Sequence, residues 1–168
     1  MAIKPKYRLL RDDELKSLEK EFIEFLIVHG VDGDLWKKMN QQDEKKAKDL
    51  VVLFSNVVFD KIVENDAHVV YISPKMIHSV KVSENVMVGV WMKTKSNEVD
   101  CRLFLENHSF LQKYAGHIEM FQGTKGCQSK AHEIASLLDA GYCIDKGGSI
   151  HAQLLSSIKK ASKKASFL

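Results

Sequence analysis

Apolar residues recur at three- and four-residue spacing through the first third of the chain. Leu15, Leu18, Phe22, Phe25, Leu26 and His29 share one stripe, which predicts an amphipathic helix of about five turns. Asp12 and Asp13, after Arg11, are candidate N-caps, and Gly30 suits the position just past the helix end. Val31-Asp32-Gly33 breaks the pattern, and Asp34 can cap a short segment through Leu35, Trp36 and Met39. From Asp43 a second long stripe runs through Ala47, Leu50, Val51, Phe54, Val57, Val58 and Ile62 and should end near Asn65.

From Ala67 the period changes to alternation. His68 to Ile72, Met76 to Val82 and Val86 to Met92, separated by Ser73-Pro74 and Ser83-Glu84-Asn85, predict an antiparallel meander. Val99, Cys101, Leu103 and Leu105 alternate with Asp100, Arg102, Phe104 and Glu106, suggesting a fourth, half-buried strand. Asn107 is placed to cap a short helix through Leu111 and Tyr114, ended by Gly116. His117 to Gln122 reads as a strand and Gly123 to Gln128 as a glycine-bearing loop. A helix follows over Ser129 to Ala140, capped by Ser129 and ended by Gly141, then a brief strand over Tyr142 to Asp145 and a closing helix from Ser149. The expected class is α+β: a helical N-terminal third, a central, mostly antiparallel sheet of four to five strands, and C-terminal helices packed on it. A length of 168 residues with 45% apolar content and no linker or repeat suits a single domain over 1–168, helical over 1–66, with sheet and closing helices over 67–168.

Composition narrows the function classes. No apolar run approaches the ~18 residues of a membrane span. No apolar segment follows the charged N-terminus before Arg11-Asp12-Asp13-Glu14, so no secretory signal is encoded and the cytoplasm is the expected compartment. Cys101, Cys127 and Cys143 are an odd set suited to free thiols in a reducing compartment. Residues 1–66 carry 12 Lys/Arg against 14 Asp/Glu, and residues 67–168 carry 13 against 8, giving the net +3. Much of the excess sits at Lys159, Lys160, Lys163 and Lys164, too sparse a footprint to favour nucleic acid.

The most suggestive stretch for chemistry is 121–130. If Gly123, Thr124, Lys125 and Gly126 form a loop before a helix, their backbone N–H groups, Lys125 and Lys130 would favour an anion, and Cys127 near the helix start would be a reactive thiol. Gly123 and Gly126 stand too close for a P-loop, so a strand-to-helix turn is the plainer account. The same residues would centre any enzymatic reading. Metal spacing is absent: there is no CxxC, HxxxH or HExxH, although Cys127, Cys143 and His132 could in principle meet. His29, His68 and His78 read as element-end or strand residues, and His108, His117, His132 and His151 as surface or capping groups. Asp32 and Asp34 glance at a calcium loop that Leu35-Trp36-Lys37 breaks. Trp36, Trp91, Phe104 and Phe110 are expected in the core. The sequence implies no catalytic residue, no metal and no cofactor.

The segments Tyr7-Arg8-Leu9-Leu10-Arg11-Asp12-Asp13-Glu14-Leu15, Leu53-Phe54-Ser55-Asn56-Val57-Val58-Phe59, Phe121-Gln122-Gly123-Thr124-Lys125 and Gly141-Tyr142-Cys143-Ile144 together resemble an uncharacterised family of bacterial proteins of about this length, known only as a domain of unknown function. The resemblance implies a stand-alone cytosolic protein and transfers no catalytic residue. What remains is an interaction module. Ile23 and Ile27 lie off the main stripe of the first helix, a second apolar face suited to a protein partner or a homo-oligomer. An anion-binding protein or enzyme built on 123–130 is the alternative, and a nucleic-acid accessory role using the basic last third is the weaker one.

Overall fold

The computed structural model describes residues 3–165, with side chains as far as Ala161. The side chains of Lys163 and Lys164 thus lie outside the described residues. The chain forms two compact units, one ending at Glu64 and the other starting at Asn65. The boundary falls where the hydrophobic period changes from helical to alternating.

The first unit contains helices α1 (Asp12–Ser17), α2 (Glu19–Val28), α3 (Gly33–Gln42) and α4 (Glu44–Glu64). The five-turn helix expected from Asp12 is therefore two helices. At Leu18 the backbone leaves helical geometry (φ −109°, ψ 24°). Ser17 Oγ donates to the Glu14 carbonyl at 2.7 Å while Leu18 N–H is shared between Glu14 O and Leu15 O, so the hydroxyl competes with the backbone ladder and the helix breaks there. Asp12 and Asp13 sit in the first turn of α1 and are not its caps. Arg11 holds the cap position, and the Glu14 carboxylate accepts from Arg11 N–H at 2.9 Å. Asp32, not Asp34, caps α3, accepting from Leu35 N–H at 2.8 Å. Phe22 lies between Phe54 (4.9 Å) and the edge of Trp36 (5.2 Å), an aromatic knot joining α2, α3 and α4. The extended N-terminal segment is pinned along α4: Leu10 N–H donates to the buried Ser55 Oγ, Lys6 N–H to Asn56 Oδ1, and Tyr7 hydroxyl to Asp60 at 2.6 Å.

The second unit is built on β1 (Ala67–Ile72), β2 (Met76–Val82), β3 (Val86–Thr94), β4 (Ile118–Gly126) and β5 (Cys143–Ile144), with α5 (Phe110–Tyr114), α6 (Lys130–Asp139) and α7 (Ser149–Ala165). The order is β4-β3-β2-β1-β5 and every pairing is antiparallel. The α+β class expected from the sequence is the observed one. Register sorts the side chains. Val70, Ser79 and Val90 align on one face, where Ile77, Met92, Phe110 and Leu154 of α7 form the core. Val69, Val80 and Gly89 align on the other. Tyr142, just after α6, meets Tyr71 and His78 on that second face.

Three expectations fail in this unit. Ser109, not Asn107, holds the cap position of α5. The segment 99–106 is no strand: Asp100 accepts from Arg102 N–H at 3.0 Å and starts a 3-10 helix, Cys101–Leu105. Its alternation doubles as a helical spacing that sends Cys101, Phe104 and Leu105 to the core. Residues 123–126 are no loop: β4 continues to Gly126, paired residue for residue with β3 from Thr94↔Ile118 to Val86↔Gly126. Gly123 serves packing instead. The Trp91 indole lies back along β3 over Gly89 and its cross-strand partner Gly123, the arrangement in which an aromatic ring covers a side-chain-free strip of strand. A Cβ on Gly89 would sit 2.5 Å from Trp91 Cη2, 2.9 Å from Cζ3 and 3.1 Å from His78 Nε2. Gly89→Ala is therefore expected to cost about 1–3 kcal/mol in urea unfolding, whereas Gly126→Ala, whose Cβ meets nothing within 4 Å, should stay within about 0.5 kcal/mol of wild type.

Candidate functional site

Three places in the sheet unit gather polar or aromatic side chains. The first is a row of rings across β2, β3 and β4. His78 stacks on Trp91 (4.2 Å, 11°) and Trp91 on Phe121 (5.1 Å, 13°), with Lys93 Nζ 5.0 Å from the Phe121 centroid. The register His78↔Trp91↔Phe121 dictates the row, since directly opposed residues of antiparallel strands share a face. Tyr142 hydroxyl bonds His78 Nδ1, while His78 Nε2 is buried and has no hydrogen-bond partner. Burial, helped by the nearby His151, pushes the His78 imidazole down to about 4. Burial likewise raises Tyr142, with Tyr71 adding to it. The ring is thus neutral at pH 7.

The second cluster lies on the opposite face. Ser79 Oγ and His151 Nδ1 are 3.0 Å apart, and Asp145 lies close by. A hydroxyl beside an imidazole is half of a nucleophile-activating pair, but Ser79 is fully buried and His151 nearly so. Asp145 gives its carboxylate to the N-terminus of α7, accepting from Ile150 N–H at 3.0 Å and His151 N–H at 3.4 Å, and from Ser149 Oγ at 3.4 Å. It does not orient the ring. The arrangement is a helix cap joined to a buried polar bond that ties α7 to β2. His151 is accordingly not the surface group that the sequence suggests. Its imidazole is lowered by burial first, then by His68 and Lys81.

The third place is a cleft of about 1110 Å³ lined by Phe104, Leu111, Ile118 and Met120, with Gln153 and Lys160 contributing polar groups. None of Gly123, Thr124, Lys125, Gly126, Cys127 or Lys130 lines it. Those residues differ in exposure and in partners. Thr124 is exposed on β4, and Lys125, also exposed there, pairs with Glu133 of α6 at 3.5 Å. Lys130 is buried at the start of α6, and its charge lowers the Asp66 carboxyl, behind the larger effects of Lys81 and Ser83. Ser129 caps α6 through His132 N–H, as expected. Cys127 is buried, and its N–H donates to Asn85 O at 2.9 Å. Among the described residues no group of three or more His, Cys, Asp or Glu could hold a metal ion, and no helix is long and apolar enough to cross a membrane.

Residues 1–159 match the family described as "Family of unknown function (DUF6495)". The chain belongs to that family. No curated protein and no solved structure matches it. Of the features that sequence reading passed over, the His78–Trp91–Phe121 row was recoverable only from register, because the three residues lie on three strands. The Ser79–His151 bond needed the packing of α7.

Two measurements follow for this DUF6495 member. Unfolded imidazoles protonate near pH 6.5, whereas folded His78 protonates near 4, so the unfolded chain binds more protons between those values. Stability is present above pH 6.5 and is lost as pH falls toward 4, by up to about 3 kcal/mol from His78, with His151 and His68 adding in the same direction. Denaturant titrations from pH 7 to 4.5 should show this slope, flatter in His78→Gln. Thiol titration of the native protein should modify Cys143 rapidly and leave buried Cys101 and Cys127 unreacted until unfolding.

Proposed function

We propose that this protein is a non-enzymatic binding module that docks a partner protein through the outer face of α2. The reading is carried by Ile23, Ile27 and Val28, which are 50%, 62% and 82% exposed while Phe22 and Leu26 on the inner side of the same helix are buried. Ile23 and Ile27 are one turn apart and form neighbouring apolar positions on the helix surface. Glu19, Lys20 and Glu24 flank them, all exposed, so the complementary surface is apolar with a rim of mixed charge. Lys125 is exposed and paired with Glu133, whereas Lys130 and Cys127 are buried, which favours a binding module over an enzyme centred on them. The three free cysteines suit the reducing cytosol, and that is where the module is proposed to act.

The test is affinity purification from the source cytosol, with any partner identified by mass spectrometry and the complex rebuilt from two purified proteins. Ile27→Glu should weaken that complex by about tenfold or more, as for a truncated anchor residue, while thermal unfolding stays near wild type because the site is exposed. Equal recovery of every partner by wild type and Ile27→Glu would overturn the reading.

A further inference from the structure

The two borders of the sheet are unlike. β5 is two residues long, which is one way natural sheets blunt an edge. β4 is nine residues, about 30 Å of strand, contains no proline, and pairs with β3 without a bulge. Among the described residues its other side has no strand neighbour. Met120 to Thr124 in its middle are uncharged, and Phe121 is exposed. Such an edge is a template for another extended chain.

We propose that β4 pairs with β4 of a second copy, antiparallel about a two-fold axis at Gln122, joining two five-stranded sheets into one. The sequence of the strand is complementary to itself in that register. Glu119, Phe121, Gly123 and Lys125 lie on one face of β4, facing Lys93, Trp91, Gly89 and Met87 respectively. A second copy rotated about Gln122 sets its Lys125 opposite Glu119 and its Gly123 opposite Phe121, and each pair occurs twice. The pair leaves room for the Phe121 ring over a glycine, as Trp91 within the sheet covers Gly89 and, from the diagonal position, Gly123. On the other face Met120 meets Thr124, and Ile118 meets Gly126.

Competing arrangements lose these pairings. A shift of two residues in either direction separates Glu119 from Lys125, and a shift of one turns every side chain to the wrong face. Parallel pairing in register would set Glu119 beside Glu119 and Lys125 beside Lys125. In the single chain Glu119 already lies 3.5 Å from Lys93, and Lys125 3.5 Å from Glu133; both remain exposed, so the intermolecular pairs complete networks already present. An edge-to-edge contact is small, and the dimer is of the weak, concentration-dependent class.

Sedimentation velocity of the full chain across a concentration series tests the register. Wild type should shift from monomer toward dimer as concentration rises. Glu119→Lys and Lys125→Glu should each remain monomeric, and the double exchange should restore the shift. A second reading comes from Gln122→Cys in a Cys143→Ser background. Opposed Cα atoms in an antiparallel pair are about 4.5–5.5 Å apart, within disulfide range, so mild oxidation with oxidised glutathione should give a covalent dimer. Circular dichroism confirms that each variant is folded. Wild type that stays monomeric to about millimolar concentration, failure of the double exchange to restore the dimer, or a folded Gln122→Cys variant that does not cross-link would overturn the proposal. Loss of the dimer in Ile27→Glu would also overturn it, by assigning association to α2 instead.

Discussion

An indole lying on bare backbone holds the sheet unit in register. Trp91 can fold back along β3 only because Gly89 and Gly123, opposite each other on neighbouring strands, present no side chain beneath it. Once there, it fixes His78 on one side and Phe121 on the other, so three strands are keyed by one stack of rings. Slipping any of them by one residue would carry a ring to the opposite face and bring valines and Met92 out of the core. The buried His78 follows from the same packing. Its position over Gly89 leaves Nε2 without a partner, and the cost of that burial appears as a ring that resists protonation.

Polar groups on the other face are held by helix termination. Asp145 closes the first turn of α7, and that capping brings His151 under the sheet within reach of Ser79. A buried hydroxyl–imidazole bond costs little when both groups are satisfied and a good deal when one is orphaned. Ser79 and His151 therefore fix the position of α7 as well as its existence. The resemblance to catalytic chemistry is one of residue types, without solvent access or an orienting carboxylate.

Most of the element map was legible from period alone: the long α4, the three-strand meander, Ser129 as a cap, and Gly30 and Gly141 as stops, both observed at positive φ. The misses have specific causes. Ser17 diverts a backbone acceptor, an effect no hydrophobic stripe records. Alternation over 99–106 also fits a short helix, and the Asp100 cap decided between them. Gly123 and Gly126 carry a turn signature in sequence, while the role of Gly123 depends on a tryptophan more than thirty residues earlier. The exposed pair Ile23 and Ile27 was visible in sequence because a helix places residues on faces by arithmetic. The ring row and the Ser79–His151 bond depended on which strands and helices became neighbours, and a single sequence does not carry that.

The order of the chain also has a temporal side. Every helix of the first unit has left the ribosome once Glu64 has emerged, and its contacts are local enough to form while synthesis continues. The sheet unit has the opposite habit. Its β5 and the core residue Leu154 of α7 lie downstream of β4, so β1 to β4 must wait with one face uncovered until α7 has been made. During that interval the strands depend on their own keying, and the ring stack across β2, β3 and β4, complete by Phe121, is the part that can hold them in line before the covering helix arrives.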